Sequence, residues 1–391
     1  MARLPEVPIT PEQFGAASKN YLNCLRLPPK AQVLIVTDKL PLNGFPDPHF
    51  EARAKMAELL VGEIGKEHKV AMIGFEETPE DQRLYGHTRE ALEQLDATEK
   101  IEGENPPTTI IYLGKKWDNR KNLYKAANDF GVGRELKMAG SLNFSTGDCR
   151  VMSELNEEKV QKIVEANEFF EKFFKERPDG WFKIKTRNLD GEELSLDLSY
   201  DTTKAPFESE LGHFDGIHET ALGQYPNVKY INIPGGEDYG TPFPFRNANG
   251  SFSAEGVTFT VKDGFLVDYK IGEGLKLEDL TDEQKELIKR TGLAKEQGNA
   301  YTGKFLPISE LGLGFYELAG IKTHKDSSIL THEKSGPHIA FGNVAEKSVE
   351  QDEMAELSGD FQHADVVLDH PAITWSKIKD GPQEEFYNST N

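Results

Sequence analysis

The sequence predicts an α/β and α+β protein, with an N-terminal α/β domain built on a mainly parallel sheet over residues 1–180 and a C-terminal β-rich domain over residues 181–391. Three observations predict this division. Up to about residue 180, short apolar runs with β-branched residues alternate with helix-forming segments, the pattern of strands buried on both faces and joined by helices. A long amphipathic stretch then stops at Pro178 and Gly180. Beyond it, polar and apolar residues alternate around Asp-Gly pairs, as they do in hairpins. A chain of 391 residues is also longer than one core usually grows.

The elements follow in order. "AQVLIVTDKL" (31–40) reads as a buried strand with Asp38 near its end, and "PHFEARAKMAELLVGEIGKE" places apolar residues at helical spacing. "KVAMIGFEE" and "TTIIYLGKKWD" read as further buried strands separated by charged, helix-forming segments. "GVGRE" (131–135) is a turn, and "NEEKVQKIVEANEFFEKFFKERPDG" is the long amphipathic helix. In the second half, "WFKIKTRNLDGEELSLDLSY" forms a hairpin around Asp190-Gly191, and "GVTFTVKDGFLVDYKI" (256–271) forms another around Asp263-Gly264. "LTDEQKELIKRTGL" is a helix in which Thr281 and Gln284 have capping-box spacing. The C-terminal "KDGPQEEFYNSTN" is expected to be a poorly tied tail. No GxGxxG or GxxxxGK[ST] follows any of these strands, which removes the usual nucleotide cradles.

Composition narrows the partners. A formal net charge of −21 argues against nucleic acid and anionic membranes, which a negative protein repels. The opening residues carry no apolar signal core, and no run approaches the ~18 apolar residues of a membrane helix, so a cytoplasmic protein is expected. The two cysteines, Cys24 and Cys149, form no CxxC pair and exclude a zinc ribbon or a disulfide framework. Any metal must therefore be held by histidines and carboxylates.

The β-rich half carries such residues in four places. In "NIPGGEDYGTPF", Glu237 follows a Gly-Gly turn; in "LPISELGLGFYELAG", Glu310 stands in an apolar, glycine-interleaved stretch. A carboxylate is rarely buried there without a cation or a hydrogen-bonding partner. His338 opens the strand-like "HIAFG", and "SGDFQHADVVLD" places His363 and Asp365 at i and i+2, on one face of a strand. Together these are ligand types that zinc, cobalt or manganese accept in hydrolytic centres, and five side chains suit two ions sharing a carboxylate. A denser cluster, His213, Asp215, His218 and Glu219 in "GHFDGIHET", is superficially metal-like, but it has no clear period to fix its geometry and is disfavoured as a site against the four places above; as a site it would be a loop facing substrate. His324 and His332 fall in "IKTHKDSSILTHEK", which reads as a charged, solvated stretch.

The four segments, in this order, resemble the aminopeptidase T and aminopeptidase S family of dinuclear metallopeptidases. The resemblance rests on "GGEDYGTPF", "SELGLG", "HIAFG" and "HAD", and extends weakly to "AQVLIVTD" and "IKTRNLDGEELSLDLS". It implies two divalent metal ions held by Glu237, Glu310, His338, His363 and Asp365, with Glu310 also handling the proton of the attacking water. It further implies a homodimer and a small peptide or amide substrate. Two features depart from the family. Its usual tyrosine, seven residues after the His-Ile-Ala histidine, is Ala345 here, which removes a donor to the tetrahedral intermediate. The "GHFDGIHET" segment also differs from the family's approach to the Gly-Glu turn.

Three functions compete on these readings: a metallo-aminopeptidase or related amide hydrolase, a mononuclear iron ring-cleaving dioxygenase, and a non-catalytic binding protein on the same fold. The dioxygenases belong to a related branch in which a histidine replaces the Glu-Leu-Gly glutamate and the Gly-Glu turn is lost. This sequence keeps both glutamates and so leans to the hydrolases. Ala345 is the feature that favours the binding protein.

Overall fold

The computed structural model describes residues 8–38, 49–75, 82–97, 106–114, 120–132, 136–140, 144–211, 220–222, 225–296, 306–343, 348–358 and 363–389. Helix α1 (Pro11–Leu25) starts at a capping box between Thr10 and Gln13 and is followed by strand β1 (Gln32–Asp38), which is buried over its whole length. Strands β2 (Lys69–Phe75), β3 (Thr108–Leu113) and β4 (Leu136–Gly140) alternate with helices α2 (Phe50–Ile64), α3 (Gln82–Ala97) and α4 (Arg120–Phe130). Helices α5 (Thr146–Glu154) and α6 (Glu157–Glu176) end this part. The apolar runs read from the sequence are therefore strands, with the charged segments between them helical.

The hairpin β5 (Asp179–Arg187) and β6 (Glu193–Asp201) follows, then β7 (Glu208–Glu210), β8 (Thr220–Leu222), β9 (Tyr225–Asn232) and β10 (Glu237–Gly240). The meander β11 (Asn249–Ala254), β12 (Val257–Lys262) and β13 (Phe265–Ile271) leads to α7 (Asp282–Glu296). Asp263 and Gly264, at φ of 48° and 82°, turn between β12 and β13 with the positive dihedrals that a tight hairpin demands. The Thr281–Gln284 capping box forms, with Gln284 N donating to Thr281 Oγ1 at 3.1 Å and Thr281 N to Gln284 Oε1 at 3.0 Å. The remaining elements are β14 (Ile308–Gly314), α8 (Ile329–His332), β15 (Pro337–Gly342), α9 (Gln351–Ser358), β16 (His363–Val367), β17 (Ala372–Ser376) and β18 (Glu384–Asn388).

Among the described residues, three sheets form. The first has the order β2-β1-β3-β4-β9-β8 and is parallel except where β8 joins β9. The chain thus returns to this sheet after residue 180, through β8 and β9. The other two are antiparallel, one ordered β16-β15-β14-β10-β7 and one ordered β13-β12-β11-β6-β5-β17-β18. A mixed α/β protein with a parallel sheet and a β-rich second half is the fold class expected.

Helix α6 ties the antiparallel sheets together through its aromatic face. Phe170 stacks on Phe315 at 5.5 Å and Phe173 meets Phe386 of β18 at 4.5 Å, while Phe174 stacks on Phe207 at 4.0 Å. The expectation of a loose C-terminal tail is corrected here. Strand β18 pairs with β17, and Phe386 and Tyr387 are buried. Their apolar area is what draws the segment in, and the Gly-Pro break at 381–382 only turns the chain back toward the sheet.

Candidate metal centre

The five residues singled out in the sequence lie on adjacent strands of the five-stranded sheet: Glu237 on β10, Glu310 on β14, His338 on β15, and His363 with Asp365 on β16. Register puts their side chains on one face. Glu310 lies opposite Ala340, and Ala340 opposite Asp365; His338 lies opposite Gly312, and Glu237 opposite Gly314. Small residues therefore alternate with donors across the face and leave room for them. A Cβ on Gly312 would come within 2.0 Å of the His338 ring, so the imidazole lies across β14 only because that position has no side chain. Gly236, at φ +138°, makes the turn that delivers Glu237 into β10.

The donor atoms converge. His363 Nε2 is 3.1 Å from Asp365 Oδ1 and 3.4 Å from Glu310 Oε2. His338 Nε2 is 3.0 Å from Glu310 Oε1 and 3.7 Å from Glu237 Oε2. Glu310, His363 and Asp365 offer donor atoms that all lie within 4.8 Å of one another, as a shared ion requires. The two histidines are oriented alike. Nδ1 of His338 donates to the carbonyl of Gly336 at 3.3 Å, and Nδ1 of His363 donates to that of Asn343 at 3.0 Å. Each ring thus has its Nε2 aimed at the carboxylates, the arrangement in which backbone carbonyls hold metal-ligating imidazoles.

Two buried oxygens complete the test of fit. Asp365 Oδ1 and Glu237 Oε2 have no well-aligned hydrogen bond, although each lies near a ring nitrogen. An orphaned buried acceptor is costly unless a cation meets it. Electrostatics agree. Burial disfavours the charged form of His363, yet Asp365 and Glu310 outweigh it and hold the imidazole well above its ordinary pKa. Burial likewise works against a charged His338, and Glu310 again wins and raises it. The carboxylates create a demand for positive charge that a proton or a metal ion can meet. Glu310, His363 and Asp365 fit a divalent ion.

The sequence matches no protein-family model and no curated protein. In three dimensions the chain is similar to wild-type AmpT from Thermus thermophilus, with a TM-score of 0.54 over 97% of this chain and 98% of that one. Identity is 14%, so the likeness is one of fold. That fold covers both the parallel sheet and the sheet that carries the donors.

Sequence reasoning missed Lys334 and two of the carboxylates around it, Glu210 and Glu333. Lys334 lies in a short 3-10 turn, Glu333–Ser335, directly before β15, and is fully buried. Its Nζ lies 2.6 Å from Glu237 Oε1, 2.9 Å from Glu210 Oε2 and 3.1 Å from Glu333 Oε1. Burial works against the ammonium, but the three carboxylates outweigh it and keep Lys334 charged. Burial in turn raises Glu333 to about 7, against the pull of the Lys334 ammonium. The available signal was a lysine directly after an acid, Glu333, just ahead of an apolar strand.

The solvated reading of "IKTHKDSSILTHEK" is corrected. His324, His332, Glu333 and Lys334 are all buried, and His332 spans Thr323 Oγ1 at 3.1 Å and Glu255 Oε1 at 2.9 Å. His332 and Lys334 survive burial there by pairing within the segment and with Glu255, Glu210 and Glu237 from elsewhere in the chain, which the hydropathy of the segment cannot reveal. His213, Asp215, His218, Glu219 and Ala345 lie outside the described residues. No described helix is long and apolar enough to cross a membrane.

Proposed function

We propose that this protein is a metal-dependent hydrolase, an aminopeptidase or closely related amide hydrolase acting on a small peptide or amide. The observation that carries the reading is the convergence of Glu310, His363 and Asp365 on one point, with His363 held by a backbone carbonyl so that Nε2 faces inward. The fold likeness to AmpT, an aminopeptidase T, supports it. A zinc, cobalt or manganese ion held there would act as a Lewis acid, polarising a carbonyl and acidifying water. Glu310, His363 and Asp365 would supply three protein ligands to such an ion, the number that catalytic zinc sites combine with a water or substrate.

The chain's own residues divide the remaining work. Glu310 presents Oε2 toward His363 and Oε1 toward His338, so it can pass a proton between the reacting centre and the His338 ring. His338, with Nδ1 fixed on Gly336, has Nε2 as the atom that takes or returns that proton. The strand positions of the donors make the face rigid, and Ala340 and Gly312 keep it open.

Metal analysis of the purified protein, followed by a screen of aminoacyl amides with each candidate ion, tests the reading. Glu310→Gln, which keeps shape and removes the carboxylate, is expected to leave the fold intact and lower turnover by at least ~10². Metal-free protein that cleaves amides as fast as loaded protein would sink it. Oxygen uptake with ferrous iron on a hydroxylated ring would instead support the dioxygenase.

A further inference from the structure

We propose that the ammonium of Lys334 is the built-in second cation of this centre, so that one exchangeable divalent ion, at Glu310, His363 and Asp365, completes it. The inference rests on the metal-dependent reading above and concerns how many ions that site takes.

Lys334 has no solvent exposure, and an ammonium has three N–H groups to give. All three have a carboxylate within reach: Glu237, Glu210 and Glu333. The residue is not free to swing away. Its backbone is seated against Gly314, where a Cβ would come within 2.5 Å of the Lys334 carbonyl carbon, and its carbonyl accepts from Tyr316 N at 2.9 Å. The position of the charge is therefore set by the chain.

Glu237 is the residue whose role this changes. One of its oxygens is taken by Lys334 at 2.6 Å, and the other lies 3.7 Å from His338 Nε2. Among the described residues, a second ion beside them would find Glu237 Oε2 and His338 Nε2 as donors of its own and would have to draw a third from Glu310, which the first ion already uses, whereas a catalytic zinc typically has three protein ligands. His338 Nε2 is already within 3.0 Å of Glu310 Oε1. Among the described residues, Glu310, His363 and Asp365 are the one group of three with donor atoms mutually within 4.8 Å. Glu237 and His338 then serve as partners that hold Lys334 and Glu310 in place.

The test counts ions on the full-length chain. Metal-free protein is titrated with Zn²⁺ and with Co²⁺ by calorimetry, and the loaded protein is weighed by native mass spectrometry. One ion per chain is expected. Asp365→Asn should weaken that ion by about 100-fold, whereas Glu237→Gln should change its affinity by less than about threefold. Lys334→Met, prepared with metal present to offset the loss of charge, should bind two. Two ions on the unaltered chain, or loss of the ion in Glu237→Gln, would overturn the proposal while leaving the metal-dependent reading intact. A single ion in Lys334→Met would also overturn it. No ion on any of these proteins overturns both.

Discussion

Gly312 has no side chain where the His338 ring needs space, and this is the kind of constraint on which the whole centre rests. A donor on a strand is useful only if its neighbours across the ladder are small enough to let it lie down. Gly312→Ala would drive a methyl into the imidazole, so the ring or β14 must move. The expected cost is ~1–3 kcal/mol of stability, as for other overpacked sites, together with a misplaced His338. Urea unfolding reads the first and turnover the second; a variant as stable and as active as the parent would contradict the close approach. The residue types of the centre were legible in the sequence, because a glutamate inside "ISELGLG" and a histidine opening "HIAFG" are out of place in apolar strands unless something pairs with them. Lys334 was not legible, because its surroundings in sequence are charged and only the fold buries it.

At the scale of elements, β10 shows how a strand serves two purposes at once. Glu237 points to the centre, and its neighbour Asp238 points the other way, where Asn167 Nδ2 of α6 donates to Asp238 Oδ1 at 2.8 Å. Burial raises the Asp238 carboxyl to about 7, against the opposing hydrogen bonds from Ser209 and Asn167. Its folded pKa therefore lies above the unfolded value of about 3.9. Between these values the folded protein binds the proton that the unfolded chain has lost, so this group's contribution falls as pH rises from about 4 to about 7. Asp238→Asn should flatten that part of the stability profile and raise the urea midpoint at pH 7. An unchanged slope would show that another group carries it. The C-terminal strand offers a second check. Phe386 packs among Phe170, Phe173 and Phe182, so Phe386→Ala should cost ~3–5 kcal/mol, where a loose tail would cost under ~0.5 kcal/mol.

Across the whole molecule, the helical part frames the centre that the β-rich half supplies. Arg150 of α5 pairs with Asp326 at 2.7 Å, and Ser328 N donates to Asp148 Oδ1 at 2.9 Å. Gly147 lets the same loop sit against the helix, since a Cβ there would meet Ser327 N at 2.4 Å. That loop runs directly into α8 and the turn that carries Lys334. Removing one partner of a buried ion pair leaves the other charge uncompensated, so Arg150→Ala is expected to cost ~3–5 kcal/mol. It should also loosen the 333–335 turn, which hydrogen exchange at the Tyr316 amide would report through its bond to the Lys334 carbonyl. Faster exchange is expected, and unchanged exchange would separate the ion pair from the centre.

By itself the sequence determined what is local: the buried strands of the parallel sheet, the Asp-Gly hairpin, the Thr281–Gln284 cap, and the pairing of His363 with Asp365 on one face. Each follows from a period or a dihedral preference that a few neighbouring residues express. Only the tertiary structure decided which donors meet, that β8 and β9 return to the first sheet, and that Lys334 stands among three carboxylates. Those outcomes depend on strand order and register between segments far apart in the chain. No local pattern encodes which distant charge will neutralise a buried one.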